Sequence, residues 1–144
     1  MHETDTVKLL RECDAGVKMG ISSINEVLPN VKSKQFRDDL AYCRNEHETL
    51  LGEIKHKLSV HRDDGKEPAV CAKSMSWMKT NMKMAMNDSD KTAADLITDG
   101  CNMGVKSLSK YLNKYKAADE HSKDIAKRLI NLEEKLAVDI RAYL

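Results

Sequence analysis

The chain predicts an all-α fold, a single domain of 144 residues built as a four-helix bundle, and three observations point there. Charged residues make up 33% and aromatics only 4%, a Leu, Ala, Lys, Glu and Met-rich mixture typical of helical proteins. Apolar residues recur every three or four positions along four long stretches. Finally, "CDAGVKMG" at 13–20 returns 88 positions later as "CNMGVKSL" at 101–108. The length is enough to bury a real core.

The first helix carries Leu10, Cys13, Val17, Ile21, Ile24 and Leu28 on one face and ends at "LPN", because Pro29 disfavours helix in the residue before it. A second stripe runs Phe36, Leu40, Cys43, His47, Leu50, Ile54 and Leu58, with Ser33 as the expected N-cap. It should fade at the turn-rich "HRDDGKEP". "CAKSMSWMKTNMKMAM" has helical spacing but is short, and "NDSDKT" stops one helix and starts another. The third long helix carries Leu96 or Ile97, Cys101, Val105, Leu108, Leu112 and Tyr115; the fourth carries Ile125, Leu129, Leu132, Leu136, Ile140 and Tyr143. The expected organisation is a helical hairpin over 5–60, a crossover over 61–89 with a short helix at about 72–86, and a second hairpin over 90–143.

The echo extends past the opening phrase. At the offset of 88, Leu9 matches Ile97, Ile24 matches Leu112 and Asn25 matches Asn113; at an offset of 86, "NEHETLLGEI" (45–54) matches "NLEEKLAVDI" (131–140) more faintly. Two repeated helical hairpins are expected to associate about a pseudo-twofold axis, since similar apolar faces are then self-complementary. The glycines at equivalent places, Gly16 and Gly104, mark the expected close crossing of the first and third helices. A segment of about 30 residues is long enough to cross the bundle, and one long crossover is the ferritin-like topology.

In its pieces "CDAGVK", "SMSWMK" and "CNMGVK" the chain resembles the ferritin-like superfamily, and within it a bacterial branch of four-helix proteins to which no activity is assigned. The wider superfamily, rubrerythrin-like proteins included, binds two irons through a Glu on helices 1 and 3 and a Glu-x-x-His on helices 2 and 4. At those places this chain has Arg44 and His47 ("RNEH") and Ile130 and Glu133 ("INLE"), with Val17 and Lys18, and Val105 and Lys106, near the glycines. One acid and one histidine stand where four acids and two histidines are needed, so the resemblance implies the bundle and not an intact diiron site.

His47 lies on the apolar stripe of the second helix. The favoured reading is a core histidine hydrogen-bonded to Glu133, which holds the equivalent place on the fourth helix; the alternative is a metal ligand or general base. Cys13, Cys43 and Cys101 also lie on apolar faces, and a thiolate site with His47 would suit zinc or copper. Buried free cysteines usually act as small apolar residues, so packing is preferred. Met75, Met78, Met82 and Met86 form a stripe read first as a lid and second as a protein-binding face. Lys18 and Lys106 can run their stems along the core and reach an acid, with Glu46 or Glu133 as the candidate partners.

A net charge of +1 gives no support to a nucleic-acid or anionic-membrane target, and no phosphate loop, nucleophile elbow or hydrolase triad can be read. The N-terminal stretch lacks a signal-like apolar region and no apolar run approaches the ~20 residues of a membrane span, so a cytoplasmic setting with reduced cysteines is expected. The functional expectation is a structural, stress-related or interaction protein with no cofactor, acting as a homo-oligomer or on a protein partner. Met19, Val27 and Tyr42 are the apolar residues expected at the surface. The second expectation is a metal-binding or redox protein using His47 with Glu133 or the thiolates of Cys13, Cys43 and Cys101, loaded with a transition metal. A diiron oxidoreductase ranks last.

Overall fold

The computed structural model describes residues 4–68 and 89–144. These residues form four long α-helices and no strand: α1 (Asp5–Val27), α2 (Lys34–Val60), α3 (Ser89–Lys114) and α4 (Glu120–Asp139), with 3₁₀ turns at Leu28–Asn30 and Arg141–Tyr143. The expected short helix at about 72–86, with Trp77 and the methionine stripe, lies outside the described residues, as does Cys71.

Each helix boundary has a local chemical cause. Thr4 and Ser33 accept the backbone N–H of Val7 and Phe36, capping α1 and α2. Pro29 turns the chain into a 3₁₀ turn after α1. Asp119 caps α4 by accepting from Ser122, while its own N–H donates to Thr6 of α1. Asp90, in the first turn of α3, accepts from the backbone N–H of Lys32 and Ser33 at 2.7 and 3.0 Å. The α1–α2 connection is therefore pinned to the start of α3.

α1 packs along α2 and α3 along α4, giving two hairpins that close on each other. Their buried side chains fall into two apolar clusters. One joins the first half of α1 (Leu9, Leu10, Cys13, Val17) to Leu50, Ile54 and Leu58 of α2, Leu108 of α3, and Ile125 and Leu129 of α4. The other joins Ile24 and Val27 to Phe36, Leu40 and Cys43, to Ala93, Ala94, Ile97 and Cys101, and to Leu136 and Ile140. Fully burying one such Leu, Ile or Phe contributes roughly 1.5–3 kcal/mol. Val27 belongs to this second core, which corrects its assignment to the surface; Met19 is half-buried and Tyr42 is exposed as expected.

The buried residues of α2 are Phe36, Leu40, Cys43, His47, Leu50, Ile54 and Leu58, the whole of the expected stripe. On α4 the stripe differs by one residue: Leu132 is half-buried and Glu133 takes the interior place.

Candidate functional site

Helical geometry alone brings His47 and Glu133 inside. His47 falls on the apolar face of α2 between Cys43 and Leu50, and Glu133 falls on that of α4 between Leu129 and Leu136. The two side chains meet between the apolar clusters, with His47 Nε2 2.9 Å from Glu133 Oε1 and side-chain exposures of 1% and 12%. His47 Nδ1 lies 2.8 Å from the Cys43 carbonyl oxygen and 3.5 Å from Cys43 Sγ. From α3, the Cys101 thiol lies close enough to Glu133 to feel its charge.

These contacts fix the proton count. A carbonyl oxygen only accepts, so Nδ1 carries a hydrogen and donates to Cys43. Nε2 then faces a carboxyl oxygen, and a hydrogen bond there requires one proton between them. The pair is thus an imidazolium and a carboxylate, or the neutral equivalent, with net charge zero. Burial works against the charged imidazole, but the bonds to Cys43 and Glu133 and the nearby negative charge outweigh it and raise His47 to about 10. Burial, with Glu133 beside it, pushes the Cys101 thiol far above its ordinary range. The Cys13 thiol is pushed up to about 12 by burial and by Glu12 and Asp14. Both cysteines are therefore thiols at neutral pH, and thiols are poor nucleophiles and poor metal ligands.

Glycine makes the room for this pair, at a place the sequence echo does not indicate. A Cβ on Gly20 would stand 2.8 Å from His47 Nε2 and 2.9 Å from its Cδ2, whereas one on Gly104 would meet Glu133 at 3.6 Å, ordinary contact. Gly16 looks toward Leu129 at 3.8 Å. The expected Gly16–Gly104 crossing is therefore corrected: Gly20 and Gly104 flank the polar pair from α1 and α3. Burial agrees, since Leu9 and Ala93, Leu10 and Ala94, Cys13 and Ile97, Val17 and Cys101, and Ile24 and Leu108 are buried in pairs. These pairs stand 84 apart, one helical turn short of the phrase's own 88.

The structure brings together Cys43, His47, Cys101 and Glu133 and leaves Cys13 in the other apolar cluster. Among the described residues no group of three or more His, Cys, Asp or Glu is arranged to hold a metal ion. The diiron ligand set does not fit the residues present: Arg44 donates to Asn25 at 3.1 Å, Val17 is buried in apolar surroundings, and Ile130 packs against the same cluster. Lys18 does reach an acid, but the partners are Asp14 at 2.7 Å and Glu67 at 2.9 Å in place of the expected Glu46 or Glu133. Lys106 is exposed.

Sequence reasoning missed Asp14. This carboxylate is 1% exposed, although it stands in the middle of the repeated phrase. Its Oδ2 takes the ammonium of Lys18 and accepts the backbone N–H of Lys66 at 2.9 Å. Gly65, at φ +88°, lays its backbone directly on the carboxylate, leaving no space for a side chain. Lys66 reaches Glu12 at 2.6 Å, Arg11 reaches Asp63 at 3.6 Å, and Asp63 accepts the N–H of Gly65. The charged stretch after α2 is therefore strapped to one face of α1. The i, i+4 spacing of Asp14 and Lys18 was the available signal for that pair, though not for the strap.

Comparison of the chain with family models, with curated proteins and with solved structures finds no match in any of the three.

Proposed function

We propose that the chain is a ferritin-like four-helix bundle from two repeated hairpins, acting as a structural or interaction protein in the cytoplasm, with a hydrogen-bonded polar pair in place of a diiron centre. The observation that carries this reading is that both ring nitrogens of His47 are engaged inside the protein, one by the Cys43 carbonyl and one by Glu133. A metal at His47 would have to displace one of these buried bonds. With the acids of the superfamily replaced by Val, Lys, Arg and Ile, no other described residues at those places supply carboxylates.

The partner in this reading is a second copy of the chain or another protein. Tyr42 and Val138 are about half exposed, and the Lys135 ammonium stands 5.6 Å from the Tyr42 ring centre. The molar mass in solution, measured by light scattering on the full chain, tells self-association from a monomer awaiting a different partner.

Metal analysis of protein purified without chelator tests the central claim. Wild type and His47→Ala are expected to carry the same substoichiometric background of zinc, copper and iron. One metal per chain in the wild type, lost in His47→Ala, would instead establish the metal-binding or redox reading built on His47, Glu133 and the cysteines.

A further inference from the structure

His47 and Glu133 stand at matching places of the second and fourth helices, in the aligned segments 45–54 and 131–140. In the structure those same two residues touch, at 2.9 Å, across the plane where the hairpins meet. One residue is basic and one acidic. The buried clusters on either side of the pair are apolar, with the Arg128–Glu53 and Lys57–Asp119 ion pairs at their half-exposed margin; similar apolar faces on their own would let either hairpin dock on a copy of itself.

We infer that the His47–Glu133 pair is a one-proton lock that decides which hairpin docks on which: the centre accepts one basic and one acidic half and rejects two of a kind. Two hairpins with His47 would bring two imidazoles together, each with its Nδ1–H already committed to a carbonyl and both unable to be charged. Two hairpins with Glu133 would bring two carboxylates together. Either arrangement buries a repulsion or a polar atom without a partner, at a place where His47 and Glu133 are both buried. The groups facing the pair are Cys43 from α2 and Cys101 from α3, while α1 and α3 present the bare backbone of Gly20 and Gly104. A polar pair placed in an apolar seam is a known way to fix pairing at some cost in stability. The lock rests on the hydrogen-bonded pair of the proposed function, while assembly state and pH response report on it separately from metal content.

Four full-length variants test it by thermal unfolding from pH 5 to 8 and by light scattering. His47→Glu, with two carboxyls at the centre, should melt higher as pH falls, because one shared proton restores a bond. Glu133→His, with two imidazoles, should melt higher as pH rises. The exchange His47→Glu/Glu133→His should recover more than half of the melting temperature lost by His47→Glu at pH 7. In His47→Leu/Glu133→Leu the buried centre is apolar and holds no unpaired polar atom, so the chain is expected to fold whatever the single variants do; it should melt at or above wild type yet elute as several species. Parallel pH slopes in the two single variants, no recovery on exchange, or a Leu/Leu variant with the same single species as wild type would each overturn the lock.

Discussion

Residues 13–18 and 101–106 spell nearly the same phrase and do different work. In the first, Cys13, Asp14 and Val17 are all buried and Lys18 is paired; in the second only Cys101 is buried, Asn102 and Lys106 face solvent, and Val105 is half-buried. The reason is register. The interior of α3 matches that of α1 one turn away from where the letters match, so the phrase is displaced along α3 by about one turn relative to the core. Identity of letters fixes helical periodicity, whereas the neighbouring helices fix which turn faces inward. The one substitution within the phrase that matters most, Asp14 against Asn102, is where a buried clamp is replaced by a solvated side chain.

The largest expected effect separates the centre of the molecule from both phrases. His47 is raised from 6.5 to about 10 in the folded chain, so the stability it contributes is fully present below about pH 6.5 and is lost as pH rises through about 10. Urea unfolding of wild type against His47→Gln, whose amide donates to Glu133 without titrating, should show a stability gap that closes steadily between pH 7 and 10. An Asp14→Ala chain should keep the wild-type slope over the same window. A gap that stays constant would show that the pair does not hold its proton as the geometry requires.

Next in size is the clamp itself. Asp14→Ala removes a buried carboxylate that serves an ammonium and a backbone N–H, bonds worth about 1.5–3 kcal/mol when charge is involved. Asn102→Ala, at the matching letter, should stay within about 0.5 kcal/mol of wild type. Hydrogen exchange gives a second check: the Lys66 amide should lose protection in Asp14→Ala and keep it in Asn102→Ala. Equal losses at the two positions would mean that the phrases are equivalent after all.

Much of this was legible in the residues. The stripe of α2, the cap at Ser33 and the contact of His47 with Glu133 all follow from helical spacing, from N-cap chemistry and from the need of a buried imidazole for a partner. The strap over α1 was not, because its information is tertiary: nothing local tells that Gly65, 51 positions on, folds back onto Asp14. Val27 read as surface because it lies off the main stripe of Ile24 and Leu28, yet it packs into the second cluster, beside the turn that Asp90 pins to α3. The one-turn displacement of the second phrase was invisible for a similar reason. A one-turn shift preserves every i, i+4 relation that periodicity can detect.

The smallest effects decide that displacement, and they differ in sign. A helical Gly→Ala change gains up to about 1 kcal/mol of backbone stability where the new methyl finds space. At Gly16 and Gly104 the nearest atoms are 3.8 and 3.6 Å from the added Cβ, so both substitutions should stabilise by about 0.5–1 kcal/mol. At Gly20 the methyl meets the His47 ring at 2.8 and 2.9 Å, and the ring cannot retreat without releasing Glu133 or the Cys43 carbonyl. Overpacking of this kind costs roughly 1–3 kcal/mol, which exceeds the helical gain. Gly20→Ala should therefore unfold at lower urea than wild type while Gly16→Ala and Gly104→Ala unfold at higher. A destabilised Gly16→Ala beside a stabilised Gly20→Ala would return the crossing to the letters of the phrase and move the polar pair out of register with α1.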